Sequence, residues 1–316
     1  MPKFKNIIIT LTRRGFFSLV LATYYHLLGF ILRAFNQKFI IKKIYNYKML
    51  LDLNDKGISR TLLLFGKREL EHKKMLEDII KPGMTVLDIG ANIGYYSLMM
   101  LKLIGDKGKL IAVEPSPSNI EILKKNLLLN NFQDVEVHNG AISDENSIKK
   151  FFLSEMSNLN TLNYTDKKSL NLTGKTIDVK TFTVSEIIDD RDLNLIRMDV
   201  EGHEVEVLNG LIPNIGSNNL YPSIIFETHR SRYNNEHSME NTLKKLFAKN
   251  YKVSMLGSTS KEGTKKIEAK GYVGTKSILT DEYERTIFKN IKEQDAIDLI
   301  CNEGGVRCVV LEHTIN

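Results

Sequence analysis

Two short stretches carry the side chains best suited to chemistry. "DVEGHE" places Asp199, Glu201, His203 and Glu204 within six residues, and "ETH" adds Glu227 and His229. Carboxylates and imidazoles grouped in this way can take the proton of a weak nucleophile such as a hydroxyl. Asp199, Glu201, Glu227 and His229 are therefore the candidate catalytic residues, with Asp199 first. The same groups are chemically adequate ligands for Mg²⁺ or Mn²⁺, but spacing alone sets no geometry, and no metal is assigned. Each acid also has an ordinary structural use: satisfying backbone N–H groups in a turn or at a helix start. His203 reads first as an exposed first-turn residue. Glu204 and Glu206 read as solvated helix positions or partners of lysines.

A third stretch, "VLDIGANIGYYS" (86–97), is an apolar run ending in an acid and followed by two glycines. A dinucleotide fingerprint needs Gly-x-Gly-x-x-Gly, and a phosphate loop needs Gly-Lys-Ser or Gly-Lys-Thr. Here the order is Asp88-x-Gly90-x-Asn92-x-Gly94. An aspartate at the mouth of a pyrophosphate site would repel its ligand. It suits S-adenosylmethionine, which carries an ammonium and a sulfonium and no phosphate. Gly90 and Gly94 would let the backbone approach that ligand closely. One strand later, Glu114 can accept both ribose hydroxyl hydrogens, with Pro115 beside it. Asn139, Gly140 and Ala141 are placed to border the adenine. Tyr95 and Tyr96 read as packing residues, and Leu87 and Val113 as core.

These residues need elements that bring them together. The pattern reads as strands "TVLDIG", "KLIAVEP", "VEVHNGAIS", "LNLIRMDVEG", "PSIIFETH", "YKVSMLG" and "VRCVVLEH", with helices between them. "YERTIFKNIKEQDAIDLICNE" reads as a long helix, and 143–175 as a polar insertion. Strands alternating with helices give an α/β, doubly wound, mostly parallel seven-stranded sheet of Rossmann-like type, which binds ligands at its carboxyl edge. The candidate residues fall at strand ends, where that rule requires them.

Taken with "VEPSPSNIEILKKNL", "NGAIS" and "LIRMDVEGHEVEVLNG", the chain over about 84–230 resembles the FkbM-type methyltransferases, a branch of the class I S-adenosylmethionine-dependent enzymes. "LLLFGKRELE" resembles the family's lead-in. The resemblance implies O-methylation of a small-molecule hydroxyl, most readily a sugar or glycolipid, or else a polyketide-like product. An amino-group adenine methylase would carry Asn/Asp-Pro-Pro-Tyr/Phe where "DVEGHE" stands. A non-catalytic membrane-anchored cofactor-binding module is the rival from another class.

The 316 residues divide into a possible membrane-associating helix (1–38), a hairpin and lead-in helix (39–80), and the methyltransferase domain (81–316). A net charge of +6 (44 Lys and Arg against 38 Asp and Glu) comes without an aromatic-interleaved basic stripe, so no nucleic-acid partner is expected. Two cysteines are too few for a disulfide framework, which leaves reducing cytoplasm as the default. Asn163-Tyr-Thr and Asn171-Leu-Thr match glycosylation acceptors at a rate chance supplies. Residues 15–32, "GFFSLVLATYYHLLGFIL", hold no charge. Gly15, Ser18, Ala22, His26, Gly29 and Arg33 form a small or polar stripe on a bulky apolar helix. Such a helix could lie on the cytoplasmic face of a membrane or dock on protein. Oligomeric state is not legible.

Overall fold

The computed structural model describes residues 10–163 and 172–314. Helix α1 (Phe16–Ala34) precedes a hairpin of β1 (Phe39–Ile44) and β2 (Tyr47–Asp52), followed by α2 (Ile58–Phe65) and α3 (Leu70–Ile79). Next come β3 (Thr85–Ile89), α4 (Tyr95–Ile104), β4 (Lys109–Glu114), α5 (Pro117–Leu129) and β5 (Glu136–Asn139). Three strands, β6 (Ala141–Ile142), β7 (Ser147–Ser154) and β8 (Leu172–Phe182), form a small separate sheet. Then follow α6 (Val184–Ile188), β9 (Leu195–Met198), α7 (Glu204–Leu211), β10 (Ser223–Glu227), α8 (Met239–Phe247), β11 (Tyr251–Ser258) and α9 (Lys261–Ala269). The chain closes with β12 (Lys276–Thr280), β13 (Tyr283–Ile291), α10 (Glu293–Ile297) and β14 (Val306–His313).

The central sheet runs β12-β13-β11-β14-β10-β9-β3-β4-β5. Its five strands from β10 to β5 are mutually parallel, and β14 pairs antiparallel with β10 and β11. The strands are buried on both faces, as a sheet covered by helices on each side requires. Leu87, Ile89, Ile111 and Met198 join the core on one face, and Val86, Leu110, Ala112 and Leu195 the core on the other. Side chains alternating at period two divide the two.

The sheet has nine strands rather than the seven expected, because the β12–β13 hairpin extends its edge. Residues 283–291, expected to be helical, are strand β13; only the following short turns, from Glu293 to Asn302, are helical. The apolar spacing of Ile287, Phe288 and Ile291 satisfies both periods. The polar stretch 143–175 is largely the small sheet, in which β7 pairs antiparallel with β8; residues 164–171 and the Asn171 acceptor motif lie outside the described residues.

Helix α1 turns its small stripe inward. Ala22 and Gly29 are buried against the domain, whereas Phe17, Leu21, Tyr24, Leu27 and Phe30 are exposed. The helix is held along its length. Arg14 stacks over the Phe65 ring at 3.9 Å, Lys42 over the Tyr25 ring at 3.7 Å, and Arg33 donates to the Leu53 carbonyl at 2.8 Å.

Candidate active site

The centre of the site is a buried arginine. Arg197 on β9 lies opposite Asp88 on β3 in the parallel ladder, and both are almost wholly buried. Arg197 donates to Asp88 Oδ1 at 3.2 Å, to Asp199 Oδ2 at 3.3 Å and to the Gly90 carbonyl at 3.3 Å. Ser97 donates to the other Asp88 oxygen at 2.6 Å, and the guanidinium rests 4.1 Å from the Tyr96 ring centre. Burial opposes charge on Arg197, but Asp88 and Asp199 more than offset it and hold the group above its ordinary pKa.

This clamp aligns the ends of β3 and β9. Gly90 has φ +76°, and a Cβ there would lie 2.3 Å from the Asp199 carbonyl oxygen, so only glycine lets the two turns touch. Gly94, at φ +89°, plays a different part: a Cβ would strike Leu123 of α5 at 2.7 Å.

A cavity opens over the carboxyl ends of β3, β4 and β9. Gly90, Asn92, Glu114 and Pro115 line one side, and Gly140 and Ala141 an end. Asp199, Glu201 and His203 form the opposite wall, and Phe151, Ser157 and Leu162 cover it. Glu114 is fixed by the backbone N–H groups of Asn92 and Ser116, each at 2.9 Å, and by Asn119 Nδ2 at 3.1 Å. Burial pushes its carboxyl up to about 7 in spite of these donors. An acceptor-only carboxylate with no neighbouring cation among the described residues suits a diol and not a pyrophosphate.

Among the described residues, Asp199 Oδ1 is buried without a hydrogen-bond partner, because Arg197 holds only Oδ2. Beside it, Glu201 (φ +50°) and Gly202 (φ +100°) make a left-handed turn, unusual for a glutamate. His229 lies between two acids, with Nδ1 2.8 Å from Glu204 Oε1 and Nε2 3.4 Å from Glu201 Oε2. Burial opposes protonation of His229, but Glu204 and Glu201 hold it well above its ordinary value. Burial pushes Glu201 up to about 7, with His229 opposing, and Glu227 up to about 8 despite Arg307 at 2.7 Å. Asp199, Glu201 and His229 offer ligand atoms within 4.8 Å of one another, close enough to share a divalent cation.

The Methyltransferase FkbM domain model matches residues 88–253, more than half of the chain. The chain belongs to the FkbM methyltransferase family. Its cofactor is S-adenosylmethionine. "Methyltransferase 1" of Beauveria bassiana (strain ARSEF 2860) is 30% identical over 144 residues, which are 40% of this chain and 57% of that protein. The match thus spans little more than half the length of that relative. An FkbM methyltransferase from Methylobacillus flagellatus KT superposes over 73% of this chain and 54% of its own, at 14% identity and TM-score 0.40. A SAM-dependent O-methyltransferase from Thermotoga maritima does so over 78% and 66%, at 11% identity and TM-score 0.38.

Against this FkbM frame, several expected residues change place. Gly90, Asn92, Glu114, Pro115, Gly140, Ala141, Asp199 and Glu201 line the cavity. Asp88 and Gly94 do not: Asp88 is the counter-ion of Arg197, and Gly94 serves helix packing. Glu227 is tied to Arg307 and His229 to Glu204, both behind the cavity wall. His203 is buried rather than exposed, with Nε2 3.0 Å from Ser143 Oγ, and burial lowers its pKa to about 3. Glu204 is likewise buried, and Glu206 pairs with His237 instead of a lysine. Tyr95 and Tyr96 are packed as expected. Arg197 was missed, although a cation inside the apolar run "LIRMD" is itself the signal for a buried counter-ion. Arg307 and Glu69 lie far apart in sequence and gave none.

Arg197→Met tests the clamp. Leaving Asp88 buried without its cation should lower stability to urea by ~3–5 kcal/mol, and adding Asp88→Asn should recover part of the loss. A stability unchanged in Arg197→Met would show that the pair is not needed.

Proposed function

We propose that this protein moves the methyl group of S-adenosylmethionine to a hydroxyl of a small molecule, a sugar or glycolipid in class, at a membrane surface. The observation that carries the reading is the buried Asp199 Oδ1, without a hydrogen-bond partner among the described residues, at the wall of a cavity that Glu114 also lines. When bound, the cofactor supplies an electrophilic methyl on a sulfonium. Glu114 accepts the ribose hydroxyls, Gly140 and Ala141 border the adenine, and the Gly90 carbonyl faces the ammonium, since Asp88 is committed to Arg197. Asp199 Oδ1 takes the acceptor proton as the oxygen–carbon bond forms, and Arg197 keeps that carboxylate oriented. Glu201 shapes the same wall, and His229 and Glu227 lie behind it.

Helix α1 is long and apolar enough to cross a membrane by length and composition alone. Its attachments to the domain at Arg14, Tyr25 and Arg33 favour a helix lying flat, with its bulky face in the lipid. Exposed Arg13 and Lys38 flank that face and complement anionic headgroups.

Three results are expected. S-adenosylhomocysteine binding, measured by calorimetry, should require ionised Glu114. Because the free carboxyl has its pKa near 7, a proton must leave on binding below that pH. Affinity should then be flat above pH 7.5 and weaken by up to about tenfold per unit below 7; Glu114→Gln should bind more weakly with no such slope. Unchanged binding in that variant would remove Glu114 from the site.

Asp199→Asn should lower kcat by ~10²–10⁴-fold with little change in cofactor affinity; a parental rate would move the proton transfer elsewhere. EDTA separates the two roles open to Asp199. Activity that survives chelation leaves it the proton acceptor, and activity lost and restored by Mg²⁺ or Mn²⁺ makes it a ligand.

Finally, the protein should sediment with phosphatidylcholine–phosphatidylglycerol vesicles. Phe17→Asp with Leu21→Asp should abolish this while cofactor binding persists. Equal sedimentation of both forms would leave α1 without a membrane role.

A further inference from the structure

A second, open cavity lies beside the cofactor cavity, and Asn158 lines both. Its far wall reaches the chemistry through Arg307, whose Nη1 is 2.7 Å from Glu227 Oε1 and whose Nη2 is 2.6 Å from Glu69 Oε1. Its outer rim is Arg14, just before α1, stacked on Phe65.

The lining mixes charges rather than collecting one sign. Arg14, Lys56, Arg68, Arg285 and Arg307 face Glu69, Asp281 and Glu282. Guanidinium–carboxylate pairs offer donors and acceptors side by side, which matches hydroxyl groups, each of them both donor and acceptor. A phosphate would meet the carboxylates at a cost. Among the described residues, two buried polar atoms of its lining make no hydrogen bond: Arg14 Nε at the rim and Asn158 Oδ1 at the partition. Buried polar atoms normally find a partner, so unsatisfied ones beside a cavity point to a ligand. The nearest acid to Arg14 is Asp281, a distant 3.7 Å away.

The rim is also where the apolar face of α1 begins. Phe16 and Phe17, both exposed, follow Arg14 by two and three residues. A bilayer seated on that face would meet the mouth of the cavity at its interface.

We propose that this second cavity is the acceptor site and that the acceptor is a membrane lipid with an uncharged, hydroxyl-rich headgroup, entering past Arg14. This rests on the methyltransferase and membrane readings above. The headgroup lies among the ion pairs, and its reacting hydroxyl passes Asn158 towards Asp199. The bond that forms joins that oxygen to the methyl carbon, the carbon–sulfur bond breaks with its electron pair left on sulfur, and the proton goes to Asp199.

The test uses the full chain, tritiated-methyl S-adenosylmethionine, and phosphatidylcholine–phosphatidylglycerol vesicles doped with a chloroform–methanol extract of the source cells. A parallel reaction contains the aqueous extract. Label should enter the organic phase. Thr61 of α2 lines the cavity; Thr61→Trp, which fills it, and Arg14→Gln, which removes the rim cation, should each cut lipid labelling by about tenfold or more, the scale of a lost charge-assisted hydrogen bond. S-adenosylhomocysteine affinity should stay parental in both, which also shows that they fold. Label confined to the aqueous extract, or absent from lipid in a protein that binds S-adenosylhomocysteine, overturns the lipid acceptor. Parental lipid labelling by both variants overturns the cavity assignment. Failure of the parental protein to bind S-adenosylhomocysteine overturns the methyltransferase reading and this proposal with it.

Discussion

A cation buried in the middle of a parallel sheet is costly unless it is paired, and Arg197 is paired on both sides. Asp88 and Asp199 hold it from adjacent strands, the Gly90 carbonyl accepts from it, and the Tyr96 ring covers it. Breaking any of these leaves a charge in low dielectric, so the arrangement is effectively all or none. It therefore fixes the ends of β3 and β9 relative to each other, and with them the glycine turn and the acidic turn that face each other across the cavity. It also settles which oxygen of Asp199 is occupied and which is free.

The ion pairing continues outward from that point. Tyr96 donates to Glu69 at 2.6 Å, Glu69 pairs with Arg307, and Arg307 pairs with Glu227. His229 holds Glu204 and Glu201 together from the other side. The chain of contacts runs from the lead-in segment before α3, through β3, β9 and β10, to β14. Burial alone would neutralise many of these acids. Burial raises the pKa values of Glu114, Glu201 and Glu227, on or just behind the cavity wall, and also those of Asp88, Glu71 and Glu206, which do not line it.

The sequence showed the parallel core clearly, because its strands are continuous apolar runs between helical periods, and most of the polar residues at their ends do line the cavity. It misplaced Asp88 because a residue's type and position say nothing about which way its charge is satisfied: "LDIG" reads the same whether the acid faces a ligand or an arginine on the next strand. His203 and Glu204 were misread for a related reason. A helix start looks exposed until the segments packed on it are known: Ser143, after β6, meets His203, and His229 and Tyr233, after β10, meet Glu204. The misreading of 283–291 is a matter of period, since paired apolar residues four apart fit a helix and a half-buried strand alike. Helix α9 escaped notice because only Gly263 and Ile267 of it are buried. The second cavity draws on residues from 14 to 307, a separation no local pattern reveals.

The central claim is that the cofactor is read by Glu114 and the Gly90 turn while Asp88 stays with Arg197. A crystal structure of the S-adenosylhomocysteine complex tests it most directly. The account predicts the ribose hydroxyls on Glu114, the ammonium at the Gly90 carbonyl, the sulfur facing Asp199, and the Asp88–Arg197 pair intact. An ammonium bound to the Asp88 carboxylate, with Arg197 turned away, would contradict it.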